Sequence, residues 1–322
     1  MLKLHPKAVL TASLLAGHGL RKGSLSLSGS AAALLVGYQA LTKGVGRYGH
    51  LANDDPTFGI TMIVFYALGT ATTKYKANIK ASLEDGHGSP ADSAGKRTAW
   101  QVLCNSTPSL LASVLYRFLF TTERSPTVKN LCYRLLGSHD GIFREDKLAK
   151  ALLFATLGHF ATCLGDTLAS ELGILSRSKP VLVTTLRPCP PGTNGGISLF
   201  GTGMSVVGGS VVGLTVAGLQ SRFGLIRDVS MLQFVTWGAV AGFAGSMIDS
   251  LLGATLQQTV YDADSGKVLL DNVADEKNKL VGLEASKREV VSGLKVLSNN
   301  QVNFVSSATV AMISGYLAYV VL

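Results

Sequence analysis

Eight long runs of apolar residues follow one another along this 322-residue chain, separated by polar stretches. A helix needs about 20 mostly apolar residues to cross a bilayer, and most of these runs reach that length. They cover residues 7–21, 27–42, 56–74, 98–120, 147–171, 197–219, 230–256 and 302–322. The first two are short and could form a tilted or re-entrant pair. The pattern predicts an all-α, polytopic membrane helix bundle with about seven or eight spans.

The composition agrees with a membrane protein and disfavours several soluble classes. Only 15% of the residues are charged, whereas a soluble globular domain has about 25%. The 36 glycines would let neighbouring helices approach closely, as small residues do in membrane bundles. The net charge of +9 is spread between the apolar runs. It therefore indicates membrane topology and anionic headgroups as partners, and no nucleic acid.

Eight spans would put four connecting segments on one side of the membrane, which we call the polar face. These segments are residues 22–26, 75–97, 172–196 and 257–301. Lysine and arginine are slightly more numerous there, so the positive-inside rule leans towards a cytosolic polar face. The chain 1–322 is predicted to be a single integral membrane domain. Within it, 257–298 is a polar loop insertion between the last two spans, in which 259–270 could form a small hairpin.

Three acidic residues lie near the polar face, at the ends of predicted spans: Asp166, Glu171 and Asp249. Charged groups inside membrane spans are costly, so they generally face a partner or a cavity. Asp166 shares a helical stripe with His159, and three glycines precede Asp249 at helical spacing. Two or three carboxylates beside phosphate oxygens are suitable ligands for Mg²⁺. The alternative is that each acid ends its helix in the aqueous layer and has no function.

A proline- and glycine-rich segment leads into the sixth span and forms a second candidate site. Free backbone N–H groups at such a helix N-terminus can bind an anion. The residues concerned are Gly192, Thr193, Asn194, Gly195 and Gly196. Lys179 and Arg187 precede them. The alternative is a tight interhelical turn, in which proline and glycine are expected.

Further polar residues follow or open other spans at the same face. The loop after the third span is basic and could cover an anionic nucleotide, although a solvated cytosolic loop is the simpler explanation for any single lysine. Its basic residues are Lys74, Lys76, Lys80, Lys96 and Arg97. Asn105 lies in the first turns of the fourth span, and Asn300 and Asn303 open the eighth. No histidines or cysteines have the spacing of a metal site.

Seven motifs occur in order along the chain. They are Thr-Lys-Tyr-Lys (73–76), Arg-Thr-Ala-Trp-Gln-Val-Leu-Cys-Asn (97–105), Gly-Asp-Thr-Leu-Ala-Ser-Glu-Leu-Gly (165–173), Ser-Lys-Pro-Val-Leu-Val-Thr-Thr (178–185), Pro-Pro-Gly-Thr-Asn-Gly-Gly-Ile-Ser (190–198), Gly-Ser-Met-Ile-Asp-Ser-Leu-Leu-Gly-Ala-Thr-Leu-Gln (245–257) and Asn-Asn-Gln-Val-Asn (299–303). Together they resemble the family of transmembrane protein 19 of animals and the phytyl-phosphate kinase of plants. The pattern at 166–173 is also similar to the acidic motif of polyprenol kinases and cytidylyltransferases that use CTP. The chain has Leu168 where the family often has tryptophan, and Cys189 where it usually has an aliphatic residue.

The resemblance implies a kinase that transfers a phosphoryl group from CTP or another nucleoside triphosphate to an isoprenyl monophosphate, with Mg²⁺. Asp166, Glu171 and Asp249 would then hold the metal, and residues 192–196 would cradle phosphate. Two further groups follow from the same resemblance. Asn105, Asn300 and Asn303 would orient the nucleotide or the acceptor, and Lys74, Lys179 and Arg187 would neutralise developing charge. Within the family, this implied activity comes from the plant members only.

Two other functions remain open from the sequence. A transporter or lipid flippase would also use intramembrane acids and abundant glycine, but it predicts inverted repeats with a site at the midplane. The chain instead has a short repeat on two spans that cross the membrane in the same direction, Asp-Thr-Leu-Ala at 166–169 and Asp-Ser-Leu-Leu at 249–252. A non-catalytic membrane scaffold would bind a partner through the 257–298 loop. With no readable retention signal, the endoplasmic reticulum or another endomembrane is the expected location.

Overall fold

The structure of the protein is a computed structural model. It describes residues 6–41, 56–85, 96–120, 145–224, 226–269 and 288–322. Within those ranges the chain forms ten helices and six short strands. The helices are α1 (Pro6–Arg21), α2 (Leu27–Leu41), α3 (Thr57–Lys74), α4 (Ala77–Lys80), α5 (Ala99–Cys104), α6 (Thr107–Phe120), α7 (Glu145–Gly173), α8 (Leu199–Phe223), α9 (Met231–Leu256) and α10 (Asn299–Val321). The strands are β1 (Glu84–Asp85), β2 (Val181–Leu182), β3 (Gly196–Ile197), β4 (Thr259–Asp262), β5 (Lys267–Leu269) and β6 (Arg288–Ser292).

Four of these helices are long and apolar enough to cross a membrane: α7, α8, α9 and α10. The apolar helices α2 and α6 are shorter, and α1 and α3 have 16 and 18 residues. The predicted all-α, polytopic membrane bundle is confirmed. The number of seven or eight spans stays a prediction, because it depends on whether the shorter helices also cross the bilayer.

Helix α7 forms the centre of the bundle. Within its most apolar window, 78% of the residues are buried in the protein, against 39%, 33% and 39% for α8, α9 and α10. It packs on α3, α6, α8, α9 and α10. Its buried side chains include Phe154, Leu157, Phe160 and Leu164, which share one core with residues of α8 and α9. A helix that is apolar all round belongs in such an interior position.

Glycines bring the backbones of α7, α8 and α9 into contact. A Cβ atom on Gly209 would lie 2.0 Å from the carbonyl oxygen of Gly238. A Cβ atom on Gly165 would lie 2.9 Å from the Cα atom of Gly242. Both separations are too short for a side chain, so the three helices cross without one between them. The close approach predicted from the glycines of the seventh span is confirmed.

The fourth predicted span, 98–120, is not one continuous helix. It divides into α5 and α6, with Asn105 and Ser106 between them. Pro108 has no N–H group, so the carbonyl of Cys104 loses the donor that a continuous helix would supply. Proline is well tolerated in the first turn of the new helix α6. The consequence for the site is that Asn105 lies at a helix break.

The four segments predicted for the polar face meet there. Leu25 and Arg97 form a parallel β-bridge between the first two. Strand β1 pairs in parallel with β5, which pairs antiparallel with β4, and β4 pairs with β6, so the sheet order is β1-β5-β4-β6. The backbone N–H of Asn194 donates to Thr259 Oγ1 at 3.1 Å, which joins the remaining segment.

The hairpin predicted at 259–270 is confirmed by the antiparallel pairing of β4 with β5. The insertion 257–298 is therefore more than a polar loop, because it supplies three strands of the four-stranded sheet. Residues 270–287 of the insertion lie outside the described residues. The division into one membrane domain with an inserted segment stays a prediction.

On the opposite face, two lysines of α7 bind the end of α10. Lys147 Nζ donates to the carbonyl oxygen of Tyr319 at 3.2 Å, and Lys150 Nζ donates to that of Leu322 at 3.1 Å. Lys150 also pairs with Asp228 in the α8–α9 connection. The carbonyl end of a helix carries a negative partial charge, so both lysines stabilise this corner of the bundle.

We expect the Asp228→Asn variant to lose less than about 1 kcal/mol of stability, because the Asp228 side chain is 64% exposed. The hydrogen bond from Lys150 lowers the pKa of Asp228 below its ordinary value. The contribution of the pair is therefore present above the ordinary carboxyl pKa and is lost as the pH falls through the lowered value. Melting curves of both proteins in detergent, recorded from neutral to acid pH, should converge at acid pH. A gap that stays constant would contradict this role.

Candidate functional site

A small pocket near the polar end of the bundle collects residues from α3, α7, α9, α10 and the break between α5 and α6. Its lining residues are Phe65, Asn105, Thr162, Cys163, Asp166, Thr167, Asp249, Asn303 and Ser306. Asp166 and Asp249 each lie seven residues before the last residue of their helix. At 1.5 Å per residue, that is about 10 Å below the polar face. Four of the residues predicted from the sequence thus meet in one place: Asp166, Asp249, Asn105 and Asn303.

The two aspartates are held by hydroxyl and amide donors. Ser246 Oγ donates to Asp166 Oδ1 at 3.1 Å, and Ser306 Oγ donates to Asp249 Oδ2 at 2.9 Å. Asn303 Nδ2 lies 3.2 Å from Asp249 Oδ2 in the amide orientation that gives both of its side-chain atoms a suitable partner. Within the described ranges, neither carboxylate has a salt-bridge partner. Two like charges in one pocket favour a bound cation or a shared proton.

Helix contacts explain why residues 83 positions apart in the sequence meet. A Cβ atom on Gly245 would lie 2.3 Å from Thr162 Oγ1, one turn below the aspartates. Thr162 Oγ1 donates to the carbonyl oxygen of Ala241 at 3.3 Å. Because no large side chain separates α7 from α9 along this line, short carboxylates on both helices reach the same pocket.

His159 lies below the pocket and fixes the helix break. The ring is fully buried, and Nε2 lies 3.0 Å from the carbonyl oxygen of Asn105. The helix break leaves this carbonyl without a regular helical partner, and the histidine N–H supplies one. His159 therefore has a structural role here.

Glu171 does not line the pocket with the two aspartates. Its Oε2 atom lies 2.5 Å from Lys80 Nζ, and Lys80 also donates to the carbonyl oxygen of Thr72 at 2.7 Å. Lys80 is only 1% exposed, so this is a buried ion pair between the segment after α3 and the end of α7. Among the residues that the structure describes, no group of three or more His, Cys, Asp or Glu side chains could hold a metal. The predicted three-carboxylate set is reduced to two aspartates.

We expect the Lys80→Met variant to lose about 3 kcal/mol of stability, because Glu171 would keep its buried charge without a partner. A second variant, Lys80→Met with Glu171→Leu, should recover part of the loss. Thermal unfolding of the purified protein in detergent measures both, with Lys22→Met, at an exposed lysine of the polar face, as the control. An unchanged melting temperature in the single variant would show that the pair does not stabilise the protein.

The glycine-rich segment uses most of its backbone donors within the protein. The N–H of Thr193 donates to the carbonyl of Pro190 at 3.2 Å. The N–H of Gly196 donates to the carbonyl of Thr193 at 2.8 Å, and that of Asn194 donates to Thr259. The expected row of free N–H groups is absent at these three residues. The segment ends in Gly196, the first residue of β3, and Ile197 and Ser198 separate it from α8, so it does not form the first turn of that helix.

Packing explains the two glycines with positive φ in this segment. Gly195 has φ +77°, and a Cβ atom there would lie 2.4 Å from the Cβ of Ala254 in α9. Gly192 has φ +86°, and a Cβ atom there would lie 2.5 Å from Glu84 Oε1 of β1. Only glycine fits such a backbone at such a separation. These contacts agree with the alternative prediction of a tight turn.

The remaining predicted residues lie outside the pocket. Lys74, Lys179 and Arg187 are exposed on the polar face, and Asn300 is half-buried in the first turn of α10. None of them lines the pocket. The sequence analysis also missed the two serines that hold the aspartates. Ser246 lies three residues before Asp249, which places it on the same face of α9, and that spacing was a usable signal.

The fold and the pocket define a class: a multi-pass membrane protein with two aspartates in a polar pocket near one face. The integral membrane protein family DUF92 matches residues 10–311, and the chain belongs to this family. Protein PGR of Arabidopsis thaliana is 34% identical over 309 residues, which cover 93% of this chain and 91% of that protein. These matches confirm the family resemblance found in the motifs.

Two further relatives match a shorter part of the chain. An uncharacterized membrane protein of Methanocaldococcus jannaschii is 38% identical over 108 residues, which cover 33% of this chain and 41% of that protein. An uncharacterized membrane protein of Synechocystis is 37% identical over 108 residues, which cover 33% of this chain and 39% of that protein. No solved structure matches the chain.

Proposed function

We propose that the protein is a membrane kinase for prenyl phosphates. It would transfer a phosphoryl group from CTP or another nucleoside triphosphate to an isoprenyl monophosphate, such as phytyl phosphate. The proposal is carried by one observation: Asp166 and Asp249, from different spans, meet in one pocket close to the polar face. An acceptor with an apolar tail among the helices would have its phosphate at this depth. We include an endoplasmic reticulum or other endomembrane location in the proposal, to be checked by imaging a tagged protein.

The donor set of the pocket fits Mg²⁺. Mg²⁺ prefers oxygen ligands and is usually bound by one or two carboxylates plus substrate phosphates, so a third protein carboxylate is unnecessary. Asp166 and Asp249 would hold the ion, with the amides of Asn105 and Asn303 beside them. A bound Mg²⁺ would supply neutralisation of the phosphate charges. Glu171 is excluded from this set because it pairs with Lys80.

The protein's own contribution would be positioning. Ser246 and Ser306 each fix one carboxylate oxygen, and the other oxygen of each aspartate would bind the ion. Phe65 supplies an apolar wall, and its ring centroid lies 5.8 Å from that of Phe160. An oxygen of the acceptor phosphate would form a bond to the γ-phosphorus, while the bond to the β-phosphate bridging oxygen breaks and the nucleoside diphosphate leaves. Such transfer depends on positioning and electrostatics more than on covalent catalysis by the protein.

A turnover assay on detergent-purified protein tests the proposal. Mg²⁺, γ-labelled CTP or ATP, and phytyl, geranylgeranyl or farnesyl monophosphate are combined, and labelled prenyl diphosphate is the expected product. Omitting the acceptor or adding a chelator should each abolish the product. No product with any donor and acceptor, from a monodisperse protein with a cooperative melting transition, would refute the kinase.

One observation favours a transporter as a second candidate. The break at Asn105 beside two intramembrane acids is similar to the discontinuous helices that form substrate sites in transporters. A transporter would move labelled prenyl phosphate across the bilayer of a proteoliposome without changing it chemically. The kinase would yield the diphosphate in detergent, where there are no compartments.

A further inference from the structure

Arg97 lies beside the pocket-lining Thr167, and hydrogen bonds and packing hold its backbone in place. Its N–H donates to the carbonyl of Ser24 at 3.1 Å, and its carbonyl accepts the N–H of Ser26 at 3.1 Å. Ser26 Oγ donates to the same carbonyl at 3.3 Å. A Cβ atom on Gly29 would lie 2.0 Å from this carbonyl oxygen, so α2 packs directly on the Arg97 backbone. These contacts fix the backbone of Arg97 and therefore the direction of its Cα–Cβ bond.

The guanidinium of Arg97 extends towards α3 and α7. Its Cζ atom lies 5.7 Å from the centre of the Tyr66 ring. A Cβ atom on Gly69 would lie 3.5 Å from Arg97 Nη2 and 3.7 Å from Thr167 Cγ2, so these two groups adjoin the same small space. Thr167 lines the pocket. The charge of Arg97 also acts on Cys163, another lining residue, and on Glu171.

The guanidinium of Arg97 has N–H donors that no side chain or carbonyl in the described part of the chain accepts. Arg97 is half-buried, yet across the described part of the chain its side chain donates no hydrogen bond and forms no salt bridge. Glu171, whose charge acts on Arg97, is already bound to Lys80. Burial lowers the pKa of Arg97, but an arginine remains charged at neutral pH. A half-buried guanidinium without acceptors is unfavourable unless a ligand supplies them.

The charges around the pocket are those of an anion site once a cation is present. The charges of Lys80 and Glu171 cancel. Arg97 contributes +1 and the two aspartates −2, so the net charge of these five side chains is −1. A divalent cation between the aspartates would change this to +1. The planar fork of a guanidinium matches two oxygens of a phosphate, which an ammonium group cannot do.

We propose that Arg97 is the anion-binding residue of the pocket and that it binds the phosphate of a phosphomonoester, either free phosphate or the headgroup of a lipid. The inference deepens the proposed function and rests on it for the identity of the ligand as an isoprenyl monophosphate. It assigns to Arg97 the role that the sequence analysis gave to Lys74, Lys179 and Arg187, which are exposed and outside the pocket.

Titration calorimetry on the full chain in nanodiscs with Mg²⁺ tests this assignment. The probes are geranyl monophosphate, inorganic phosphate and uncharged geraniol. Arg97→Gln should weaken geranyl monophosphate binding roughly 10- to 100-fold, as expected for lost hydrogen bonds between charged groups. Arg97→Lys should give a smaller loss, and geraniol binding should not change. Arg177→Gln, the same substitution at an exposed arginine on the polar face, is the matched control.

The outcomes separate the two sources of phosphate and separate this inference from the kinase. Binding of geranyl monophosphate alone identifies a lipid headgroup, and Arg97-dependent binding of inorganic phosphate identifies free phosphate. The inference is overturned if Arg97→Gln binds geranyl monophosphate with the affinity of the wild type. If Arg97→Gln does not fold, wild-type affinity in Arg97→Lys overturns it. Arg97-dependent binding without turnover would refute the kinase alone. Turnover with an unchanged acceptor KM in Arg97→Gln would refute this role of Arg97 alone.

Discussion

Asp166→Asn is expected to lower the rate of phosphoryl transfer about 10³-fold while leaving the protein folded. Ser246 can still donate to the remaining carbonyl oxygen of the asparagine, so the contact between α7 and α9 is retained. The charge that would hold a divalent cation is lost. Asp249→Asn should have a similar effect, because Ser306 keeps its acceptor in the same way. The turnover assay with labelled nucleotide and prenyl monophosphate measures both rates.

The matched control for these variants is Asp264→Asn. Asp264 is an exposed aspartate in the β4–β5 turn on the same face of the protein, and it does not line the pocket. Its loss should leave the rate unchanged. Melting curves for the three variants establish that they are folded. If Asp166→Asn and Asp249→Asn both retain full turnover, the metal-binding role of the two aspartates is wrong, whatever the activity of the protein proves to be.

Gly209→Ala is expected to destabilise the bundle by about 4 kcal/mol, a large effect for adding one methyl group. The new Cβ atom would lie 2.0 Å from the carbonyl oxygen of Gly238 and 3.0 Å from the Cα of Gly242. Neither neighbour is a flexible side chain, so α8 and α9 must move apart. The melting temperature in detergent measures the loss, and the separation should also disturb the pocket, since α9 carries Asp249.

The same substitution at Gly218 provides the control. Gly218 lies on the same helix, nine residues further along, and a Cβ atom there would meet no atom within 4 Å. Gly218→Ala should be neutral or stabilise by up to about 1 kcal/mol, because alanine has the higher helix propensity. Equal destabilisation by both variants would mean that the α8–α9 contact is not the cause.

Much of the fold could be predicted because it follows from local properties of the chain. Apolar length predicts a helix wherever the run is long, and alternating span direction places the four polar segments on one face. The break in the 98–120 run coincides with a short polar stretch, residues 105–109, which the mean hydropathy of the whole run conceals. A proline can begin a helix or interrupt one, and hydropathy does not distinguish the two.

The site was predictable only in part, because its geometry depends on contacts between distant residues. Asp166 and Asp249 were found from the cost of charge inside a span, which is a local argument. Glu171 satisfied the same argument, yet it pairs with Lys80, which lies 91 positions away in the sequence. Arg97 looked like one of five similar basic residues, and only its packing distinguishes it from the exposed Lys74.

The burial of α7 has a consequence for how the chain is made. α7 is synthesised before α8, α9 and α10, which are three of the helices that cover it. Until they arrive, His159 and Asp166 have no protein surroundings from the C-terminal half, and exposing such groups to lipid is costly. The insertion machinery must therefore retain α7 or shield it during translation. A ribosome that stalls before Asn299 would release a chain with this helix uncovered on its α10 side, and the polar groups there would face lipid.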